Sequence, residues 1–384
     1  MYKIKTLNKI SSAGLSLLPK ENYSISDNEE APDGIILRSF DMHTMELPES
    51  LLAVGRAGAG VNNIPIDKCS EKGILVFNTP GANANAVKEL VIAGLILSSR
   101  NVIGGIKWAE SLEGQADVAK TVEKGKSNYT GPEIKGKTLG VLGLGAIGVL
   151  VANAAIGLGM NVIGCYNTVL HDYAKSNLHK DVEVTNDRSF VYENSDYISI
   201  HLPSKSDTKQ MFNAAVFEKM KKGVRIINMA RSNLVNDADI IKALESGQVS
   251  CYVTDFPTEE VLGINNVIPI PHLGASTPES EENCAYMAAL QVKNYLECGN
   301  IKNSVNFPDL EVEYKGGVRV CVVAKATAED GITAAIAKSG LRIKDKASAS
   351  SKDICYWIID VEGDAPDVKA LENTDGVISV RVIR

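Results

Sequence analysis

A single turn limits what this chain can fold into. Residues 137–142, Lys-Thr-Leu-Gly-Val-Leu, read as a strand and run without a break into Gly143-Leu-Gly145-Ala146-Ile147-Gly148; an apolar helical stretch, 149–158, follows. Three glycines at this spacing are a weak signal alone, but between a strand and a helix they match a dinucleotide-binding turn. Gly143 would make the tight bend, Gly145 would let the backbone approach a pyrophosphate, and Gly148 would let the helix pack on the strand. Ala146 and Ile147 would open the helix, whose first N–H groups and partial positive charge favour phosphate oxygens. A strand-to-helix turn that binds nothing is the plainer alternative.

Strand candidates at 139–142, 161–166, 197–201, 224–229, 248–255 and 267–270 alternate with helical stretches. Six such units suit a doubly wound parallel sheet. An earlier series at 2–7, 35–38, 52–56 and 74–78 predicts a second sheet, and the helical pattern at 280–298 is expected to return to it. The expected fold class is α/β, with two doubly wound parallel-sheet domains. A flavodoxin-like substrate-binding domain would take 1–98 and 272–304, and a Rossmann nucleotide domain 99–271. A polar linker at 305–316 would lead to a small domain at 317–384. There 318–324, 329–338, 341–347, 354–361, 366–373 and 376–383 read β-α-β-β-α-β, a ferredoxin-like pattern.

Composition removes other classes. Forty Lys and Arg against 47 Asp and Glu leave a net charge of −7, and no basic cluster is interleaved with aromatics. Nucleic acid is therefore not an expected partner. The longest apolar run, Leu90 to Leu97, falls far short of the roughly 20 residues a bilayer requires, and the first residues lack the apolar core of an export signal. No membrane partner and a cytoplasmic location are the expectations. Seven cysteines without a CxxC pair read as core thiols of a reducing compartment. No spacing suits a metal, so none is expected.

Ligands of a doubly wound sheet sit beyond the carboxyl ends of its strands. Arg231, Glu259 and His272 each follow such an end. Hydride leaves an alcohol carbon readily only if the hydroxyl proton departs too, and an imidazole is suited to accept it. His272 is the predicted acid–base, Glu259 would hold its ring, and Arg231 would grip a carboxylate with two parallel hydrogen bonds. Taken singly, Arg231 also reads as a surface charge, Glu259 as half of a solvated Glu259-Glu260 pair and His272 as a capped loop residue. At the ribose end, the acid usual about 20 residues past the glycines is missing from Gly164-Cys-Tyr-Asn-Thr168. Asn167 is left to bond a ribose hydroxyl. His171 and Lys175 are the cations nearby and no arginine is close in sequence, so NAD is expected over its 2′-phosphorylated form.

Four motifs carry a wider likeness: Val54-Gly-Arg-Ala-Gly-Ala-Gly-Val-Asn-Asn63, the segment Gly136 to Gly148, Asn228-Met-Ala-Arg231, and Pro271-His-Leu-Gly-Ala-Ser-Thr277. Together they resemble the D-isomer-specific 2-hydroxyacid dehydrogenases over residues 33–306. The resemblance implies that Arg231, Glu259 and His272 are the substrate arginine, the orienting glutamate and the acid–base histidine. It implies that Pro203, Thr208 and Asp255 join the glycine turn in holding NAD. Arg56, Gly58 and Ala59 would form a loop whose N–H groups meet the substrate carboxylate, with Asn83 beside it. Arg38, with Ser39 next to it, and Arg56 become candidates for the phosphate of a phosphorylated 2-hydroxy acid, because an acidic protein must concentrate cations where a trianion binds.

Within this family the implied reaction is NAD-dependent oxidation of 3-phospho-D-glycerate to 3-phosphohydroxypyruvate, the first step of L-serine synthesis, in a homodimer or homotetramer. The small domain resembles an ACT domain, which implies L-serine as an effector, although Lys325-Ala-Thr-Ala-Glu-Asp-Gly331 lacks the Asn-x-Pro-Gly turn of that type. Thr254-Asp255-Phe256 also places Asp one residue closer to Phe than the family does. The rival readings are another D-2-hydroxyacid dehydrogenase, such as a glycerate or hydroxypyruvate reductase, and a non-catalytic NAD-sensing protein.

Overall fold

A computed structural model describes residues 1–339, 341–351, 353–363 and 367–384. They fall into two compact units, 1–83 with 278–384, and 84–277.

In the first unit, β1 (Tyr2–Leu7), β2 (Tyr23–Ser26), β3 (Gly34–Leu37), β4 (Ala53–Arg56) and β5 (Leu75–Phe77) form a parallel sheet in the order β2-β1-β3-β4-β5. This is the flavodoxin-like order. The helix Pro278–Cys298 returns to cover it. Its approach is so close that a side-chain carbon at Gly55 would fall 2.8 Å from Val292 Cγ2. Beyond the helix, Asn306 binds the edge of β5: its Oδ1 accepts from the Val76 N–H at 2.9 Å and its Nδ2 donates to the Ile74 carbonyl at 3.0 Å.

The second unit carries β6 (Thr138–Leu142), β7 (Asn161–Cys165), β8 (Glu183–Thr185), β9 (Tyr197–Ile200), β10 (Val224–Asn228), β11 (Val249–Thr254) and β12 (Val267–Pro269). All pair in parallel, in the order β12-β11-β10-β9-β6-β7-β8. The order in which strands are added reverses between β6 and β9, the switch point where such sheets open for ligands. Helices cover the sheet, so its central strands are near-continuous apolar runs. The helix Ala84–Ser99 packs on β10 and β11, with Gly94 against Ile227, Met229 and Val253.

The third sheet belongs to the first unit. β13 (Val318–Lys325), β14 (Ile343–Ser350), β15 (Ile354–Val361) and β16 (Val377–Ile383) pair antiparallel in the order β14-β15-β13-β16, with helices Glu329–Lys338 and Lys369–Glu372 between them. This is the expected ferredoxin-like order; Pro366, the first residue of the helix expected at 366–373, lies outside the described residues. Alternation with period two divides the sheet's faces. Val320, Val322, Trp357 and Ile359 pack with Ile332, Ile336 and Leu371, whereas Cys321, Val323, Tyr356 and Ile358 join Tyr295 and Leu296 in the core of the first sheet.

That docking face also brings two arginines to the carboxyl end of the helix Pro278–Cys298. Arg319 Nη1 donates to the Cys298 carbonyl at 2.8 Å and Arg381 Nη2 to that of Tyr295 at 2.6 Å. Cations at this end satisfy carbonyls that have no partner within the helix and oppose its negative dipole. All seven cysteines are free thiols, six of them buried. Among the described residues no single helix is long and apolar enough to cross a membrane.

Candidate active site

The glycine turn has the shape its spacing requires. Gly143 takes φ +100°, and a side-chain carbon there would lie 2.5 Å from the His201 carbonyl oxygen; at Gly148 it would collide with the Gly143 carbonyl oxygen. Gly145 differs, because nothing lies within 4 Å of that position. It also caps the helix Ala146–Gly157 without any side-chain hydrogen bond. The helix therefore begins with open space and unmet N–H donors at Ala146 and Ile147, which fits a pyrophosphate.

Arg231 and His272 meet at the same sheet edge, around a ring that sequence reasoning did not single out. The Arg231 guanidinium carbon lies 5.6 Å from the Phe256 centroid, and the His272 ring lies 4.5 Å from it. Fully buried Asn228, at the end of β10, turns the chain: its Oδ1 accepts from the Ala230 and Arg231 N–H groups at 3.1 and 3.3 Å, and its Nδ2 donates to the Arg231 carbonyl at 2.9 Å. Arg231 itself is exposed, with Nη1 on the Ala230 carbonyl at 2.7 Å.

His272 sits at φ +53°, a region that residues with side chains rarely adopt. Asp255 holds it there. The His272 N–H donates to the Asp255 carbonyl at 3.1 Å, and the next two N–H groups, of Leu273 and Gly274, donate to Asp255 Oδ1 and Oδ2 at 2.7 and 2.9 Å. Gly274 must be a glycine, since a side-chain carbon would fall 2.8 Å from Oδ2. Burial pushes the Asp255 carboxyl above the usual range, and the two N–H donors and His272 pull it back. Glu259 is exposed at the start of the turn Glu259–Val261, and no hydrogen bond or ion pair joins it to the His272 ring.

Thr208 is buried, and its hydroxyl serves the loop itself, donating to the Pro203 carbonyl at 2.7 Å and accepting from the Lys205 N–H at 2.8 Å. His201, beside the glycine turn, shares a 2.8 Å hydrogen bond with Ser199 Oγ, and burial pushes its pKa down to about 4. The ribose end holds one further side chain. An arginine does reach this place: Arg188, from the far side of β8, puts Nη2 3.5 Å from Asn167 Oδ1. Sequence distance hid it, because β7 and β8 are neighbours only in the folded sheet.

The substrate candidates of the first unit cluster beyond β3 and β4. Arg56 Nε donates to the Arg38 carbonyl at 3.1 Å, and its guanidinium lies against Gly58, whose φ of +146° is one that side-chain-bearing residues rarely adopt. The Gly58 and Ala59 carbonyls accept from the Thr79 N–H at 3.1 Å and Asn78 Nδ2 at 2.7 Å. The Ser39 N–H donates to Asn8 Oδ1 at 2.9 Å, and Asn83 is half-buried. Arg38 is engaged by Glu281, with Nη1 2.6 Å from Oε1.

Residues 105–274 match the family described as D-isomer specific 2-hydroxyacid dehydrogenase, NAD binding domain. The chain is 33% identical over 297 residues to the D-3-phosphoglycerate dehydrogenase of Methanocaldococcus jannaschii, covering 75% of this chain and 54% of that one. It is 35% identical over 328 residues to D-3-phosphoglycerate dehydrogenase 2, chloroplastic, of Arabidopsis thaliana, covering 80% and 50%. The chain thus spans about half the length of these curated relatives. Among solved structures, the NAD+-bound 3-phosphoglycerate dehydrogenase of Entamoeba histolytica is similar with a TM-score of 0.62 and 25% identity, covering 80% of this chain and 99% of that one. Residues 105–274 are thus similar to the NAD-binding domain of the D-isomer specific 2-hydroxyacid dehydrogenases.

Proposed function

We propose that the chain is an NAD-dependent dehydrogenase that oxidises 3-phospho-D-glycerate to 3-phosphohydroxypyruvate, the first step of L-serine synthesis. The observation that carries this reading is the placement of Arg231 and His272 around Phe256, at the strand ends that also bear the open glycine turn. Nicotinamide, when bound, supplies the hydride acceptor. The chain's own residues do the rest: a His272 ring nitrogen accepts the proton of the 2-hydroxyl, and Arg231 holds the carboxylate through paired N–H groups. Glu259 would support the protonated ring by its charge, being unbonded to it here.

On the first unit, Arg38 and Arg56 would take the phosphate, and the loop at Gly58 and Ala59 the carboxylate. Glu281 would then yield Arg38 to the phosphate, an exchange of one exposed ion pair for a stronger charge. We read 318–384 as an ACT-like regulatory domain with L-serine as effector, and the assembly as a cytoplasmic homodimer or homotetramer. The names of the relatives support the substrate.

One assay tests this. NADH absorbance is followed with phosphohydroxypyruvate, with hydroxypyruvate and without substrate, in wild type and His272→Ala. We expect turnover of the phosphorylated acid, lowered about 10²–10⁴-fold in the variant, the usual contribution of a general acid–base. Turnover of hydroxypyruvate alone would make the chain a different dehydrogenase, and NAD binding with no turnover at all would make it a sensor. An unchanged rate at millimolar serine would remove the effector.

A further inference from the structure

One side chain at the outer end of the nucleotide sheet, Arg188, is unused by the reading above. Strand β7 ends at Cys165, whose carbonyl accepts from the Gly143 N–H at 2.9 Å, so the strand end and the glycine turn are one structure. The residues that follow, Tyr166, Asn167 and Thr168, include no carboxylate. In sheets of this order an acid there accepts from the ribose hydroxyls, and its charge repels a 2′-phosphate. Without it, the carboxylate that would face the 2′ position from this loop is missing.

A cation stands in its place. Cys165 of β7 is opposite Thr185 of β8, so residues just beyond both strands emerge on one edge. Asp187 is spent on the chain itself: its Oδ1 accepts from the Ser189 N–H at 2.8 Å, and its N–H donates to Thr185 Oγ1 at 3.0 Å. Arg188 is not spent. It is half-buried and has Nη2 at 3.5 Å from Asn167 Oδ1, and among the described residues no carboxylate lies within 4 Å of it. Lys175, the other cation of this loop with His171, is paired to Asp172 at 2.9 Å. Burial pushes the Cys165 thiol up, Arg188 pulls it back and Asp187 adds to the rise, so the charges of both residues reach the strand end. A planar fork with free donors matches a phosphate in two parallel bonds.

We propose that Arg188, with Asn167, receives the 2′-phosphate of a phosphorylated adenosine ribose, so that this domain takes the 2′-phosphorylated nicotinamide dinucleotide as well as NAD. The proposal rests on Gly143–Gly148 being the pyrophosphate turn. The test is calorimetric titration of the full chain with NAD+, NADP+, 5′-ADP and adenosine 2′,5′-bisphosphate. NADP+ should bind within about tenfold of NAD+, and its affinity relative to NAD+ should fall as salt rises. Arg188→Ala should lower the affinity ratio of NADP+ to NAD+ by about tenfold or more, the range of a charge-assisted pair, and Asn167→Asp should lower it too. An Arg188→Ala ratio equal to wild type, or NADP+ more than 100-fold weaker than NAD+ in the wild type, would overturn the proposal while leaving the NAD site standing. If none of the four ligands bound, the glycine-turn reading would fall and take the proposal with it.

Discussion

The seat of the small antiparallel sheet and the open edge of the nucleotide sheet use arginine in opposite ways. Arg319 is fully buried, and its five N–H donors are met by both Asp360 oxygens and the carbonyls of Cys298, Val312 and Glu313, with the Tyr314 ring 4.8 Å away. Arg231 and Arg188 each make one side-chain hydrogen bond, to the Ala230 carbonyl and to Asn167. A saturated guanidinium has nothing left for a ligand and fixes the chain around it. One with idle donors contributes little to folding, and its place at a strand end has another use.

The comparison is broken most directly at the saturated site. Arg319→Leu removes every bond at once and leaves Asp360 facing carbonyls without a donor. Loss of one partner of a buried pair costs about 3–5 kcal/mol, and since the Asp360 side chain is 21% exposed we expect the lower end of that range. Denaturant midpoints with limited proteolysis near residue 315 check this. The exposed pair Lys302–Glu311, 3.0 Å apart, is the control, and Lys302→Ala should cost under about 1 kcal/mol. Equal losses in the two variants would mean that saturation does not distinguish the sites.

How much of this was legible beforehand depended on where a strand lies. β6, β9, β10 and β11 are interior and apolar on both faces, so they stood out as runs. β2 and β8 are edge strands, short and partly polar, and offered no run to find. Arg231 follows the interior strand β10 and His272 the edge strand β12, and both could be placed at one end of the sheet from order alone. Phe256 stood out only for its spacing from Asp255, which says nothing of the ring that lies beside both. Asn228 acts on Ala230 and Arg231 through a local turn whose geometry a motif does not display, and Arg188 reaches Asn167 only through strand pairing. The small sheet was readable because its two faces alternate, although alternation did not say that one face would dock on the helix Pro278–Cys298.

A smaller effect separates charge from neutrality within the nucleotide sheet. His201 is kept neutral, with its pKa about 4 when folded against about 6.5 in the unfolded chain. The unfolded chain takes up the proton first, so the contribution of His201 is complete above about pH 6.5 and is lost as pH falls toward 4. The loss approaches about 3 kcal/mol at the acid limit. Unfolding free energies between pH 7.5 and 4.5 should therefore fall more steeply in wild type than in His201→Gln. Parallel curves would show that the imidazole titrates normally and that this end of the sheet is wetter than its packing indicates.

The smallest effect tests whether the open edge is held as firmly as the buried one, but by backbone. Asp255 accepts two adjacent N–H groups beyond His272, and Asp255→Asn replaces one acceptor with an NH2 that confronts an N–H donor. One charge-assisted bond is lost, worth about 1.5–3 kcal/mol where the acceptor is charged. Part of that cost is returned by the deeply buried carboxyl no longer needing to ionise, since burial already raises its pKa. What remains falls on the left-handed backbone at His272, which has no intrinsic preference for that conformation. Asp255 is thus a positioning residue, and its signature is kinetic: we expect kcat to drop about tenfold while KM for the hydroxy acid moves less than threefold. A change in KM alone would place the carboxylate on a ligand instead, and an unaltered kcat would show that the imidazole keeps its place without the clamp.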